Sequence, residues 1–527
     1  MVAPSTDDPV VLLGSEALGG PLGRHARTGT SWWTPLRVLL ALTFLTCGVG
    51  LVQKDPCRDA AWSAPGVYIY SCYSDIPPLY FGRGLADGEV PYIDQEGDRR
   101  VEYPVLTGAV MWLTAQAVGS SADPADASAR TLRYFDINAL ALALCAAIAV
   151  AATARTAGRR PWDAALFALA PVLALSGTIN WDLYAVALLA LGMLAWARAR
   201  PVAAGVLIGL AAATKFYPLF VLGPLLVLCW RAGRMREFWA ALAAAVGSWA
   251  VVNVPVMLVD FDGWARFYRL SEDRGAGFGS LWFVLSQQGY SLSDGTLNVV
   301  SGGLFALACI GVAVLGLLAE RRPRLPQLVF LVVAAFVLTN KVYSPQYALW
   351  LLPLAALARP RWRDFLIWQA AEVVHFVGTW MLIAGYPPGN PDRALGEDGY
   401  GVTVLAHFGG TLWLCWVIVR DVLHPEHDPV RAPNASVGDP GDDPVDDPAG
   451  GVLDHAPDAR PGRCSWTQDR KMTPGIGRKG SRMLKVTTDW GSSATEGSQW
   501  PLKVVLRWRP GSTSRTSPVI MSPPPAV

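Results

Sequence analysis

Residues 103–118 read Tyr-Pro-Val-Leu-Thr-Gly-Ala-Val-Met-Trp-Leu-Thr-Ala-Gln-Ala-Val. Whether this stretch crosses a membrane decides how the whole chain is arranged. It is apolar enough to be a span, yet Thr107, Thr114 and Gln116 also suit a helix lying in the interface. Charge settles the choice. Arginines gather in five later loops: Arg155, Arg159 and Arg160; Arg198 and Arg200; Arg231, Arg234 and Arg236; Arg321, Arg322 and Arg324; Arg359, Arg361 and Arg363. Basic loops stay on the cytoplasmic side.

All five loops fall on one face if the apolar runs at 33–53, 134–154, 162–179, 181–197, 201–214, 216–231, 237–259, 296–319, 325–340, 345–358, 364–385 and 402–420 are spans. The N-terminus, with Arg24 and Arg27, joins that face. Parity then holds only if 103–118 does not cross. The sequence predicts an all-α integral membrane bundle of about 12 spans. Its first outer loop, 54–133, carries two interfacial helices, near 76–88 and 103–120. Several spans are short, which fits a bilayer where they stop inside a protein-lined cavity.

Composition agrees. The 527 residues are 52% hydrophobic and 16% charged, against about a quarter charged in soluble chains. A net charge of +2 gives no general attraction to nucleic acid. Residues 1–32 read as a disordered cytoplasmic leader before an uncleaved anchor, and 33–424 as the membrane catalytic domain. Residues 425–527, rich first in Asp, Pro and Gly and then in Ser, Arg and Pro, read as a disordered cytoplasmic tail. Most cysteines lie in apolar runs as small hydrophobes. Cys57 and Cys72 share the outer loop, where a disulfide is open to them. No Cys/His spacing suits zinc, and no metal or cofactor is expected.

The outer loop carries the chemistry. Tyr-Ser-Asp-Ile-Pro-Pro at 73–78 places Asp75 just before a helix started by Pro77 and Pro78. A carboxylate desolvated at an interface serves as a general base; the same position also suits a plain N-cap. Pro77 stands where a second acid would complete an Asp-x-Asp metal site for a nucleotide-diphosphate donor, which points to a lipid monophosphate donor used without metal. Glu102, before Tyr103 and Pro104, is placed to bind a sugar hydroxyl or to favour the helix dipole. Trp181 and Asp182 stand in a tight outer turn, the indole offering a stacking face for a sugar. Lys215 and Lys341 each precede a Tyr two positions on, Tyr217 and Tyr343, and then a Pro; Gln346 follows the second. Outer-face cations break the inside bias, and a lipid phosphate would account for them; snorkelling to headgroups is the plainer reading. Glu372 and His375 share one face of an apolar helix, where ionisable groups are functional candidates.

Tyr73-Ser74-Asp75, Glu102-Tyr103-Pro104, Asn180-Trp181-Asp182, Lys215-Phe216-Tyr217-Pro218 and Lys341-Val342-Tyr343-Ser344-Pro345-Gln346, in this order over 33–420, resemble the GT-C membrane glycosyltransferases. In particular the pattern is similar to the actinobacterial polyprenyl-phosphate-mannose-dependent mannosyltransferases of glycosyltransferase family 87. The resemblance implies an outer first loop with two juxtamembrane helices and a catalytic Asp75. It also implies a flipped polyprenyl-phosphate sugar as donor and an extracytoplasmic lipid or polysaccharide as acceptor. The reaction would invert configuration, with Lys215 or Lys341 stabilising the departing phosphate. A transporter or lipid flippase using Asp182, Glu372 and His375 is the first rival reading, and a non-catalytic envelope assembly protein is the second.

Overall fold

The computed structural model describes residues 8–24, 32–119, 123–386, 394–431, 447–454 and 456–458. Among them the chain forms helices and turns and no strand. A leader helix, α1 (Pro9–Arg24), precedes α2 (Pro35–Asp59), α3 (Ile76–Gly82), α4 (Val105–Val118) and α5 (Ala127–Thr156). Next come α6 (Asp182–Ala197), α7 (Pro201–Thr214), α8 (Leu222–Ala232), α9 (Met235–Val259) and α10 (Phe261–Asp273). The last are α11 (Asp294–Leu318), α12 (Leu325–Thr339), α13 (Ala348–Ala358), α14 (Trp362–Ile383) and α15 (Glu397–Leu423).

Six helices, α2, α5, α9, α11, α14 and α15, are long and apolar enough to cross a membrane. At 25 residues α2 rises about 38 Å, more than the roughly 30 Å of hydrocarbon. Five further expected spans form shorter helices, among them α6 and α7 of 16 and 14 residues. Proline at the first helical positions starts many of these elements, including α2, α7 and α12. The expected span 162–179 is not one helix. It breaks into short turns at Pro161–Ala164, Ala165–Ala168 and Pro171–Ser176. Pro171 lacks an N–H and its ring clashes with the carbonyl four residues back, so a helix cannot run through it unbroken.

Helices form where they are expected near 76–88 and 103–120, the first only over Ile76–Gly82 (α3) and the second over Val105–Val118 (α4). In α5, 67% of the apolar window is buried, against 11% in α9 and α11, so α5 is central and the other two turn Val251, Leu258, Val299 and Leu307 outward. Gly205 and Gly209 of α7 face Ala241 and Ala245 of α9 so closely that an added Cβ would strike those carbonyls. Small residues spaced by four let two membrane helices meet backbone to backbone.

On the face of the basic loops the chain departs from expectation. Residues 425–431 and 447–458, within the segment read as tail, pack onto those loops wherever they are described. Arg324, 1% exposed, donates to Asp428 at 2.7 and 3.0 Å and to the carbonyls of Leu357 and Ala358. Arg231 donates to Asp458 at 2.6 Å, Leu325 N–H to Asp447 at 3.0 Å, and Trp196 Nε1 to the Gly450 carbonyl at 3.0 Å. The composition cannot build an apolar core, but buried guanidinium groups need acceptors, and Asp-rich chain supplies them. The leader is likewise placed in part: Asp8 accepts from Trp362 N–H at 2.9 Å.

Candidate active site

The stretch before α3 is fastened on both sides. On one side the end of α2 holds it: Cys57 and Cys72 are joined in a disulfide, and Gln53 Nε2 donates to the Ser71 carbonyl at 2.7 Å. Lys54 Nζ donates to the Tyr73 carbonyl at 3.1 Å. On the other side Ser74 Oγ donates to Thr178 O at 2.7 Å and Asp75 N–H to Ile179 O at 2.7 Å. Asp75 thus sits on backbone fixed against the broken 161–179 segment.

Asp75 occupies the N-cap position of α3, but its side chain makes no capping bond. Tyr73 OH donates to Oδ1 at 2.8 Å and Tyr103 OH to Oδ2 at 3.1 Å. Ser74 Oγ instead accepts from Ile76 N–H. The plain cap reading is therefore corrected: two phenols hold this carboxylate, one from each flank of the outer loop. Burial pushes the Asp75 carboxyl above its ordinary value. The Tyr73 and Tyr103 hydroxyls and the charge of Lys215 pull it back, while Asp182 adds to the rise. Burial, then the Asp75 charge, keeps both phenols protonated well above their ordinary range, so they remain donors. Part of the Asp75 surface stays accessible, and two of its roughly four lone-pair sites are unused by the phenols.

Next to it, Lys215 Nζ pairs with Asp182 Oδ1 at 2.8 Å, and Trp350 Nε1 donates to Asp182 Oδ2 at 2.8 Å. Lys215 lies 5.3 Å from the Tyr103 ring centre and 5.8 Å from that of Tyr347. Tyr103 thus touches both Asp75 and the lysine. Tyr217 stacks on Trp350 at 4.4 Å, and Tyr347 on Trp350 at 3.9 Å. Trp181, 1% exposed, donates to Asn138 Oδ1 at 2.7 Å and meets Tyr103 edge-on at 5.6 Å. Trp181, Asp182, Tyr217 and Trp350 are buried backing, whereas Tyr73, Asp75, Tyr103, Lys215 and Tyr347 keep accessible surface.

A second polar cluster lies among α14, α15 and the loop between α12 and α13. Glu372 accepts from Tyr343 OH at 2.7 Å and Trp368 Nε1 at 2.8 Å, and pairs with His407 Nδ1 at 2.7 Å. Its helix neighbour His375 does not bond it; that ring lies 5.3 Å from Tyr343 and 5.2 Å from His407. Tyr343 and Tyr347 rings, 5.8 Å apart, join the two clusters.

Two sequence candidates go elsewhere. Glu102 pairs with Arg83, whose Nε lies 2.9 Å away. Lys341 Nζ donates to the Glu272 carbonyl at 2.8 Å, beside the end of α10. Gln346 is buried in the turn Pro345–Tyr347. Sequence reading passed over Tyr347, Trp350, Trp368, His407 and Lys54. The first two follow Lys341 by six and nine positions and were visible only as apolar helix.

Residues 103–339 match the family model described as Glycosyltransferase family 87. No curated protein matches. Among solved structures, the chain is similar to the ArnT of Cupriavidus metallidurans, crystallised bound to undecaprenyl phosphate, at 15% identity and a TM-score of 0.39. That likeness covers 73% of this chain and 77% of the other. The match over 103–339 covers a little under half of the chain and includes Tyr103, Trp181, Asp182 and Lys215, so this part of the helical chain is similar to glycosyltransferase family 87.

Proposed function

We infer that this chain is a glycosyltransferase of family 87 and of the GT-C type, and that it moves a sugar, mannose by its sequence resemblance, from a polyprenyl-phosphate donor to a lipid or polysaccharide hydroxyl outside the cytoplasm. The observation that carries the reading is the geometry at Asp75. It is a partly accessible carboxylate held by two phenols, beside a cation that touches one of them.

In this reading Asp75 accepts the proton of the acceptor hydroxyl as that oxygen attacks the anomeric carbon. The bond to the polyprenyl phosphate breaks from the opposite side, so configuration inverts. Lys215 receives the phosphate charge that develops. Asp182 and Trp350 aim the ammonium, and the fastened backbone keeps acceptor, base and cation in line. Lys341, on the α10 side, is left the role of a rim contact for donor or acceptor. Removing the base costs roughly a hundred- to ten-thousandfold.

The test is Asp75→Asn in the purified full-length chain, reconstituted in liposomes with membrane lipid extract and polyprenyl-phosphate [14C]mannose. Loss of transfer by at least a hundredfold, with donor binding kept, is expected. Transfer at the normal rate removes Asp75 as base. Transfer by the wild type at all separates this reading from a transporter or an assembly protein.

A further inference from the structure

Lys54 stands out by what it lacks. It is 0% exposed at the outer end of α2, and among the described residues no carboxylate pairs with its ammonium. A buried cation without an anion is costly, and an apolar side chain of like size would pack there without that penalty. Its bonds are to two backbone carbonyls, Tyr73 O at 3.1 Å and Leu175 O at 3.3 Å; the nearest ring contact is Phe376 at 6.0 Å.

Those two carbonyls belong to the two strands of chain that meet behind the active site. Tyr73 lies in the outer loop, two residues before Asp75. Leu175 lies in the turn Pro171–Ser176, three residues before Thr178, whose carbonyl holds Ser74. One ammonium therefore closes a seam that the Ser74–Thr178 and Asp75–Ile179 bonds continue. Tyr73 also spends its hydroxyl on Asp75 and rests its ring 4.7 Å from Trp380. The position of that hydroxyl depends on the backbone that Lys54 holds.

We propose that Lys54 is a positioning residue for glycosyl transfer: by bridging the Tyr73 and Leu175 carbonyls it sets the register in which the Tyr73 hydroxyl meets the Asp75 carboxylate. The proposal rests on Asp75 as the base. Lys54 touches neither substrate nor the carboxylate and acts only through Tyr73. The charged and titratable groups around Asp75 itself are Tyr73, Tyr103, Lys215, Asp182 and the more distant Tyr68.

The experiment compares the wild type, Lys54→Met, Lys54→Gln, Tyr73→Phe and Asp75→Asn in the same liposome assay. Methionine keeps the length and loses the charge, so Lys54→Met should melt no lower than the wild type. Its kcat should fall about ten- to a hundredfold with KM within about threefold, the size of effect that small misplacements of reacting groups produce. The acid limb of its pH profile should move upward, as in Tyr73→Phe. The double variant Lys54→Met/Tyr73→Phe should lose little more than Tyr73→Phe alone. Lys54→Gln, which keeps N–H donors without the charge, should recover much of the rate and the original limb. A wild-type kcat and limb in Lys54→Met overturns the proposal, as does a loss that tracks a lower melting temperature. If Lys54→Met does not fold, Lys54→Leu takes its place beside Lys54→Gln: a slowed Leu variant with an upward-moved limb that Gln largely restores supports the proposal, and a wild-type rate and limb in the Leu variant overturns it. An active Asp75→Asn removes the base reading instead. An inert Asp75→Asn beside a normal Lys54→Met removes only the role of Lys54.

Discussion

The Tyr103 hydroxyl donates to Asp75 at 3.1 Å while the Tyr103 ring lies 5.3 Å from the Lys215 ammonium. One side chain thus separates the carboxylate from the cation and touches both. The ion-pair partner of Lys215 is Asp182, at 2.8 Å, and Asp75 accepts instead from the Tyr73 and Tyr103 hydroxyls.

The first prediction concerns pH. A base works ionised, and burial already lifts the Asp75 carboxyl above its ordinary value. The acid limb of kcat/KM should therefore lie above the ordinary carboxylate value of about 4. The phenol bonds favour the ionised form, so Tyr73→Phe and Tyr103→Phe should each move the limb further upward, by up to about one pH unit. A downward shift would contradict the assignment. The same sign governs stability: a carboxyl raised in the folded state stabilises it at low pH and loses that contribution as pH rises through the raised value. At neutral pH Asp75→Asn should melt at or above the wild-type temperature.

The second concerns the buried pair. Asp182 is 2% exposed and holds Lys215 at 2.8 Å. Lys215→Met should destabilise the protein by about 3–5 kcal/mol, because it leaves a buried carboxylate unpaired. Adding Asp182→Asn should restore most of the stability in denaturant unfolding but none of the transfer rate.

A third contrasts two ion pairs. Asp428→Ala strands Arg324 in the interior and should cost about 3–5 kcal/mol. Asp262→Ala removes an exposed pair with Arg269, whose side chain is 55% accessible, and should change stability by less than about 1 kcal/mol. Thermal melting of the two variants in one detergent checks the difference.

A fourth concerns helix contact. Gly209→Val places a branched side chain against the Ala245 carbonyl and Ser248. Overpacking should cost about 1–3 kcal/mol, whereas Gly48→Val, with open space around it, should be tolerated. Yield and melting temperature of the two variants measure this.

The last tests topology. Asp98 is fully exposed in the loop between α2 and α5 that is read as extracytoplasmic by charge parity. Asp98→Cys should react with an impermeant maleimide in intact cells; protection there would place the loop on the cytoplasmic side and overturn the extracytoplasmic site.

Much of this was legible because hydropathy and the basic loops act over long runs. The apolar run predicts a helix after Tyr103, and one forms at Val105–Val118; Tyr103 and Asp75 stand out as candidates by sequence, and their hydroxyl–carboxylate bond is seen only in the fold. Glu372 and His375 were found from helix spacing, but the partner of Glu372, His407, lies 35 residues on in another helix, and no local pattern links them. Lys54 follows the apolar run 33–53 by one residue, and no local pattern singles it out. Only the fold of the outer loop back onto α2 buries it. The break at Pro171 was visible in principle, since proline inside an apolar run argues against a straight span. The acidic stretch after 425 read as solvent-loving because its composition lacks apolar residues; what it binds is arginine.

That last contact bears on how the protein is made. Arg324 and Asp428 are 104 residues apart, which at about 5–20 residues per second separates their synthesis by roughly 5–20 s. Throughout that interval the arginine lacks the carboxylate that later accepts two of its hydrogen bonds. A chain that ends before Asp428 would therefore carry every helix of the bundle and still leave this guanidinium without its acid.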